Sequence, residues 1–193
     1  MATAAASYPV TFEVEYPERL SRGLIFVKWL LAFPHWLIVG IFGYLVELTT
    51  FISWFAILFT GRYPKALFDL AVMYFRWNTR MLAYVALLRD EYPPFSGGAE
   101  PEYPVRLDIE YPERLSRLLI FVKWLLAIPH ILILSLLGLV AVLVYVIGWF
   151  AILFTGRLPR SLFDFLVGYG RWGLRVNAYI LLLRDEYPPF SMT

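Results

Sequence analysis

A chain of 193 residues that is 60% hydrophobic and 19% aromatic, with a mean hydropathy of +0.65, carries more apolar surface than a soluble domain of ordinary composition, about 45–50% apolar, has to bury. Its 17 basic and 15 acidic side chains leave a formal charge of +2, which lacks the concentrated basic face of a nucleic-acid-binding protein, so no nucleic-acid partner is expected. The absence of Cys excludes disulfides, thiolate metal sites and cysteine nucleophiles.

Residues 1–7 show no basic region leading into an apolar core, so no cleavable secretion signal is expected there. From residue 8 the chain repeats itself, 8–96 aligning without a gap on 103–191, which points to a tandem duplication. The matching blocks are YPERLSR (16–22 and 111–117), FVKWLLA (26–32 and 121–127), Pro-His (34–35 and 129–130), WFAILFTGR (54–62 and 149–157) and LLRDEYPPFS (87–96 and 182–191). Residues 97–102, Gly-Gly-Ala-Glu-Pro-Glu, read as a short flexible linker between two modules.

Each copy opens on an alternating run, 10–15 or 105–110, whose period of two predicts a short exposed strand. A long apolar stretch follows, 23–60 or 118–155, interrupted by Lys28 or Lys123, by the Pro-His pair and, in the first copy, by Glu47. About 20 apolar residues cross a hydrocarbon core, so each stretch is nearly long enough to cross twice. Lys28 and Lys123, followed by Trp29 and Trp124, are expected to snorkel toward headgroups. The segments 64–88 and 159–183 then read as amphipathic helices, with Pro near the first turn. One face gathers Asp69, Arg76 and Arg80, repeated as Asp164, Arg171 and Arg175.

The fold class this predicts is an all-α integral membrane protein with a tandem duplicated module. In the favoured arrangement the apolar stretch of each copy folds into a transmembrane hairpin turning near 40–43 or 135–138. The amphipathic helix lies in the interface, and the total is about four crossings. In the other arrangement 34–60 crosses and 64–88 returns, so that the arginines must find partners within the bundle. Either places a pseudo-twofold axis along the membrane normal.

The blocks YPERLSR, Pro-His, FTGRYP with LFD, RWNTR with AY, and LLRDEYPPFS resemble a bacterial family of membrane proteins, the domain of unknown function numbered 4389, over both copies. The resemblance implies a location in the bacterial inner (cytoplasmic) membrane and a repeated module, and it brings no catalytic residues.

Few residues suggest chemistry. His35 and His130, equivalent in the two copies, could ligate a haem or pigment, although imidazoles at the polar boundary of a membrane need no cofactor. No cofactor is expected, and no metal site, because neither histidine stands in a metal-ligand spacing. The faces of Asp69, Arg76 and Arg80 and of Asp164, Arg171 and Arg175 are expected to meet lipid headgroups or to line a polar path. Arg19, Arg22 and Arg89 should pair with Glu18, Asp90 and Glu91 on the surface. YPPFS is expected to end the helix and close it against its own strand. Glu47 and Asn78 have no counterparts, Val142 and Gly173 standing in their places, so neither belongs to a shared two-copy site. The function expected is that of a non-catalytic accessory or scaffolding subunit, with membrane lipids and other membrane subunits as partners. A small transporter or channel with a pseudo-twofold path and a haem- or pigment-binding subunit are the alternatives.

Overall fold

The computed structural model describes residues 8–193; residues 1–7, read above for a secretion signal, lie outside it. In chain order the elements are β1 (Val10–Val14), a single 3-10 turn (Leu24–Phe26), α1 (Lys28–Leu31), α2 (Phe33–Thr60) and α3 (Lys65–Val85). The second copy repeats them as β2 (Val105–Ile109), a 3-10 turn (Leu119–Phe121), α4 (Lys123–Thr155) and α5 (Arg160–Ile180). The protein is mostly helical, and the strands expected at 10–15 and 105–110 are present among the described residues as one two-stranded ribbon.

The expected hairpins are also corrected. Residues 40–43 and 135–138 lie inside the unbroken helices α2 and α4, each closed by a glycine, Gly61 or Gly156, in the left-handed conformation at φ +72°. The only turn-forming residues at those places are Gly40, Gly43 and Gly138, with Ser135 bonded back to Ile131 O within its helix, so an unbroken helix satisfies every backbone group more simply than a turn would. Among the described residues two helices, α2 and α4, are therefore long and apolar enough to cross a membrane.

In each copy the second long helix returns along the first. Residue pairs run in opposite order, His35 with Trp77 and then Gly43 with Tyr74. The contact uses a narrow stripe that starts at Ala32, just before α2, and continues along it through His35, Val39, Val46, Ser53 and Ile57, all buried at helical spacing. The rest of α2 and nearly all of α4 present apolar side chains outward.

The strands join the copies. β1 and β2 pair antiparallel, with Phe12 opposite Leu107 at the centre. Each strand packs on the other copy's helix, β2 on α3 and β1 on α5. The exchange continues along the arms that follow the strands. Leu20 N–H donates to Gly156 O and Leu115 N–H to Gly61 O, while the rings of Phe26 and Trp149 and of Phe121 and Trp54 meet edge to face. Period-two alternation places Phe12 and Leu107 in the core, and Glu13, Arg106 and Asp108 on the exposed face. Three layers result, with the ribbon outermost on one side, α3 and α5 in the middle, and α2 and α4 on the far side. Arg76 reaches the ribbon while Trp77, a helical step away, reaches α2. Because each arm runs along α3 or α5, antiparallel pairing turns those two helices in opposite directions about a pseudo-twofold axis through the ribbon centre.

Candidate functional site

Three groups of residues could carry function: the Pro-His stations, the arginine faces, and the cleft between the copies.

At each Pro-His station the LLRDEYPPFS segment folds back over the start of the apolar helix. Its approach is set by Leu87 or Leu182, whose positive φ of 63° or 64° turns the chain at the end of α3 or α5. The His35 ring is fully buried, stacks on Phe95 at 4.1 Å and accepts at Nδ1 a hydrogen bond of 2.9 Å from Trp77 Nε1–H. His130 repeats this with Phe190 at 3.9 Å and Trp172 at 3.0 Å. The Tyr92 hydroxyl donates to Leu31 O, and Tyr187 to Leu126 O, in the helical turn that the proline weakens. YPPFS therefore closes on its own Pro-His pair, and not on its own strand as expected. Each ring has one face covered by Phe and Nδ1 occupied, so a planar macrocycle reaches His35 or His130 only if the segment is displaced.

Beside each station lies a buried ion pair that the sequence reading placed elsewhere. Lys28 is 2% exposed; its ammonium sits 2.8 Å from the Asp90 carboxylate and donates to Arg89 O, while Asp90 also accepts from Ser21 N–H. Lys123, Asp185 and Ser116 repeat the set. Neither lysine snorkels, because the carboxylate and the turn carbonyl hold its ammonium inside the fold. Burial pulls the Lys28 ammonium below the ordinary lysine range against the pull of Asp90. Trp29 and Trp124, by contrast, are exposed.

The arginine faces are occupied. Arg76 donates to Leu107 O and pairs with Asp108. Arg80, 3% exposed, donates to Ser96 O and Gly98 O. Arg171 donates to Phe12 O and Met192 O, and Arg175 reaches Ser191 O and lies over the Tyr8 ring. These side chains fasten the ribbon and the chain after YPPFS to α3 and α5; the linker is clamped, not free. Asp69 and Asp164 stand apart on the surface, paired with Lys65 and Arg160 one turn away. Exposed basic residues gather instead at the glycine ends of α2 and α4: Arg62, Lys65, Arg114 and Arg117 at one, and Arg157, Arg160, Arg19 and Arg22 at the other. Sequence reading missed these clusters because each is assembled from both copies.

Between the copies lies a cleft of about 910 Å³. Phe12 of the ribbon roofs it, α3 and α5 form its walls, and α2 and α4 its lips. Its lining is mostly apolar, and none of the six arginines and aspartates of the two faces belongs to it. A recess of about 330 Å³ opens from it beside Trp36, Tyr44, Glu47, Tyr74 and Asn78.

The model of a protein family described as a domain of unknown function, DUF4389, matches residues 22–97 and again 117–192. The chain therefore belongs to that family and carries two tandem copies of its domain. No curated protein and no solved structure matches the chain.

Proposed function

We propose that this two-copy DUF4389 protein is a non-catalytic membrane-seated scaffold. It lies along one face of the bilayer with α2 and α4 sunk in hydrocarbon and its charged ribbon turned to water, where it docks other membrane subunits. The observation that carries this reading is the opposition of two surfaces. On one side Ile41, Tyr44, Leu48, Phe51, Leu136 and Leu143 are all exposed; on the other lie Glu13, Glu15, Arg106, Asp108 and Glu110. In water such an apolar surface, far beyond a few hundred Å², would drive aggregation. In lipid it is the contact surface.

Orientation follows from charge and symmetry. The ribbon lies alongside the helices, so helices set upright would carry its charged face to bilayer depth, at about 2.5–3.5 kcal/mol per charged side chain on insertion scales. Upright helices would also turn one copy upside down relative to the other, although the two are nearly the same sequence. With the helices lying in the plane, the pseudo-twofold axis runs along the membrane normal and both copies meet the same environment. The basic clusters at the glycine ends then reach the phosphates at the rim. The small-transporter reading required arginines in a shared cavity, and those groups are engaged with backbone carbonyls. The haem- or pigment-binding reading required open imidazoles.

The test uses the absence of native Cys. Single cysteines replace Arg62, Glu91 and Glu13, and sealed vesicles of each orientation are treated with an impermeant maleimide. All three should label from the same side. Labelling of Arg62→Cys and Glu91→Cys from opposite sides would show a transverse helix and overturn the seating.

A further inference from the structure

The two copies differ most tellingly at one place. Glu47 is the one charged residue of α2 and sits on an exposed turn in the middle of an apolar helix. Among the described residues it makes no ion pair or hydrogen bond. A carboxylate left without a partner at membrane depth is costly and marks a site. Around it in the recess stand Trp36, Tyr44, Tyr74 and Asn78. At the equivalent positions the second copy has Ile131, Leu139, Val142 and Gly173, and only Tyr74 keeps its counterpart, Tyr169. One copy thus retains an apolar wall where the other gathers a carboxylate, an amide and two further aromatic rings at a single spot.

We infer that this recess and the adjoining cleft bind a lipophilic cation, an ammonium or phosphonium centre bearing apolar substituents. The chemistry of the lining selects that class. Aromatic faces attract an organic cation that has shed its water, the Glu47 carboxylate neutralises it, and the apolar cleft takes the substituents. A metal ion is poorly served, since no group of His, Asp and Glu able to hold one occurs among the described residues, and an anion would face Glu47. Tyr74 is held in place by packing against Gly43, where a Cβ would lie 3.4 Å from its ring, so that wall of the site is formed before the ligand arrives. Entry is from the bilayer side, between α2 and α4, and in that respect the inference rests on the seating proposed above. The cation could come from a free amphiphile or from a choline-type lipid headgroup.

The experiment measures equilibrium binding of radiolabelled tetraphenylphosphonium to the full chain in a maltoside detergent, with Trp fluorescence as a second readout. Saturable binding at one site per chain is expected, weakened about tenfold or more, a difference of about 1.4 kcal/mol, by Glu47→Gln and by the triple change Trp36→Ile, Tyr44→Leu, Glu47→Val. The triple variant carries residues that the second copy already accommodates at the same positions, so its folding is not at issue. Glu102→Gln, on the surface, should bind as the parent does. Competition by dihexanoylphosphatidylcholine below its micellar concentration would identify the headgroup as the source, and its absence the free cation. Equal affinity in the parent and both Glu47 variants, or no saturable binding in any of them, would overturn the inference. Because binding is read in detergent, its failure is separate from a failure of the labelling test of orientation.

Discussion

Gly97 lies against the backbone of Met73, close enough that a side chain on Gly97 would collide with the Met73 carbonyl. In the second copy the sizes are exchanged. Gly168 stands where Met73 does, and a Cβ built on it would lie 2.8 Å from Met192, the counterpart of Gly97. The same junction is thus packed twice with the bulk on opposite partners. Gly97→Ala should destabilise the protein by about 2 kcal/mol, the usual scale of overpacking. Gly97→Met combined with Met73→Gly should recover most of the loss that Gly97→Met causes alone. Thermal unfolding in detergent would check both, and additive effects would show the two positions are not coupled.

The hydrogen bond from Trp77 to His35 Nδ1 leaves His35 Nε2 to carry the proton, inside a pocket where that atom has no partner of its own. Removing the donor with Trp77→Phe orphans Nδ1 as well and should cost about 1–3 kcal/mol. Trp77→Phe with His35→Leu removes both polar partners and should cost less than the sum of the two single changes. Chemical unfolding of the four proteins as a double-mutant cycle gives the coupling directly.

Much of this architecture is legible in the residues. The repeat, the amphipathic segments with Pro at their start, and the glycine ends of the apolar helices all follow from local pattern. The ribbon's partners do not, because alternation fixes which face of a strand is buried and says nothing of which copy buries it. The hairpins failed for a related reason. Length and apolarity fit two short crossings as well as one long helix, and only the buried stripe from Ala32 to Ile57, made by contact with α3, decides between them. Arg76 and Arg80 stand out in the sequence, but their partners are backbone carbonyls distant in sequence, which no spacing reveals. Glu47 is legible as an exception that the second copy does not share, and that asymmetry is what distinguishes the recess.

Acid should loosen the junction between arms and modules. Burial pushes the Glu91 carboxyl upward, but the Arg89 fork beside it outweighs this and holds it below the ordinary glutamate range; Glu186 and Arg184 behave alike. A carboxylate with a lowered pKa in the folded state adds stability that is present above its unfolded pKa and lost as pH falls through the folded one. The unfolding temperature should therefore hold from pH 7 to about 5 and drop as the pH falls through the ordinary glutamate range toward the lower folded-state value. Glu91→Gln with Glu186→Gln should flatten that drop. An unchanged acid limb in the double variant would assign the loss to other groups.

The buried pair of Lys28 and Asp90 supports the start of each apolar helix from beneath, since Asp90 also holds Ser21 N–H and the ammonium also holds Arg89 O. Lys28→Met removes the cation and leaves a carboxylate that keeps only part of its solvent contact, so a cost of about 3 kcal/mol is expected, near the low end for breaking a buried pair. Lys28→Met with Asp90→Asn takes the stranded charge away while keeping an acceptor for Ser21 N–H, and should regain much of that cost. The matching changes at Lys123 and Asp185 should behave in the same way, because distances and burial repeat there. Unfolding measurements in which the double variant is as unstable as Lys28→Met alone would show that packing of the lysine stem, and not its charge, is what the fold depends on.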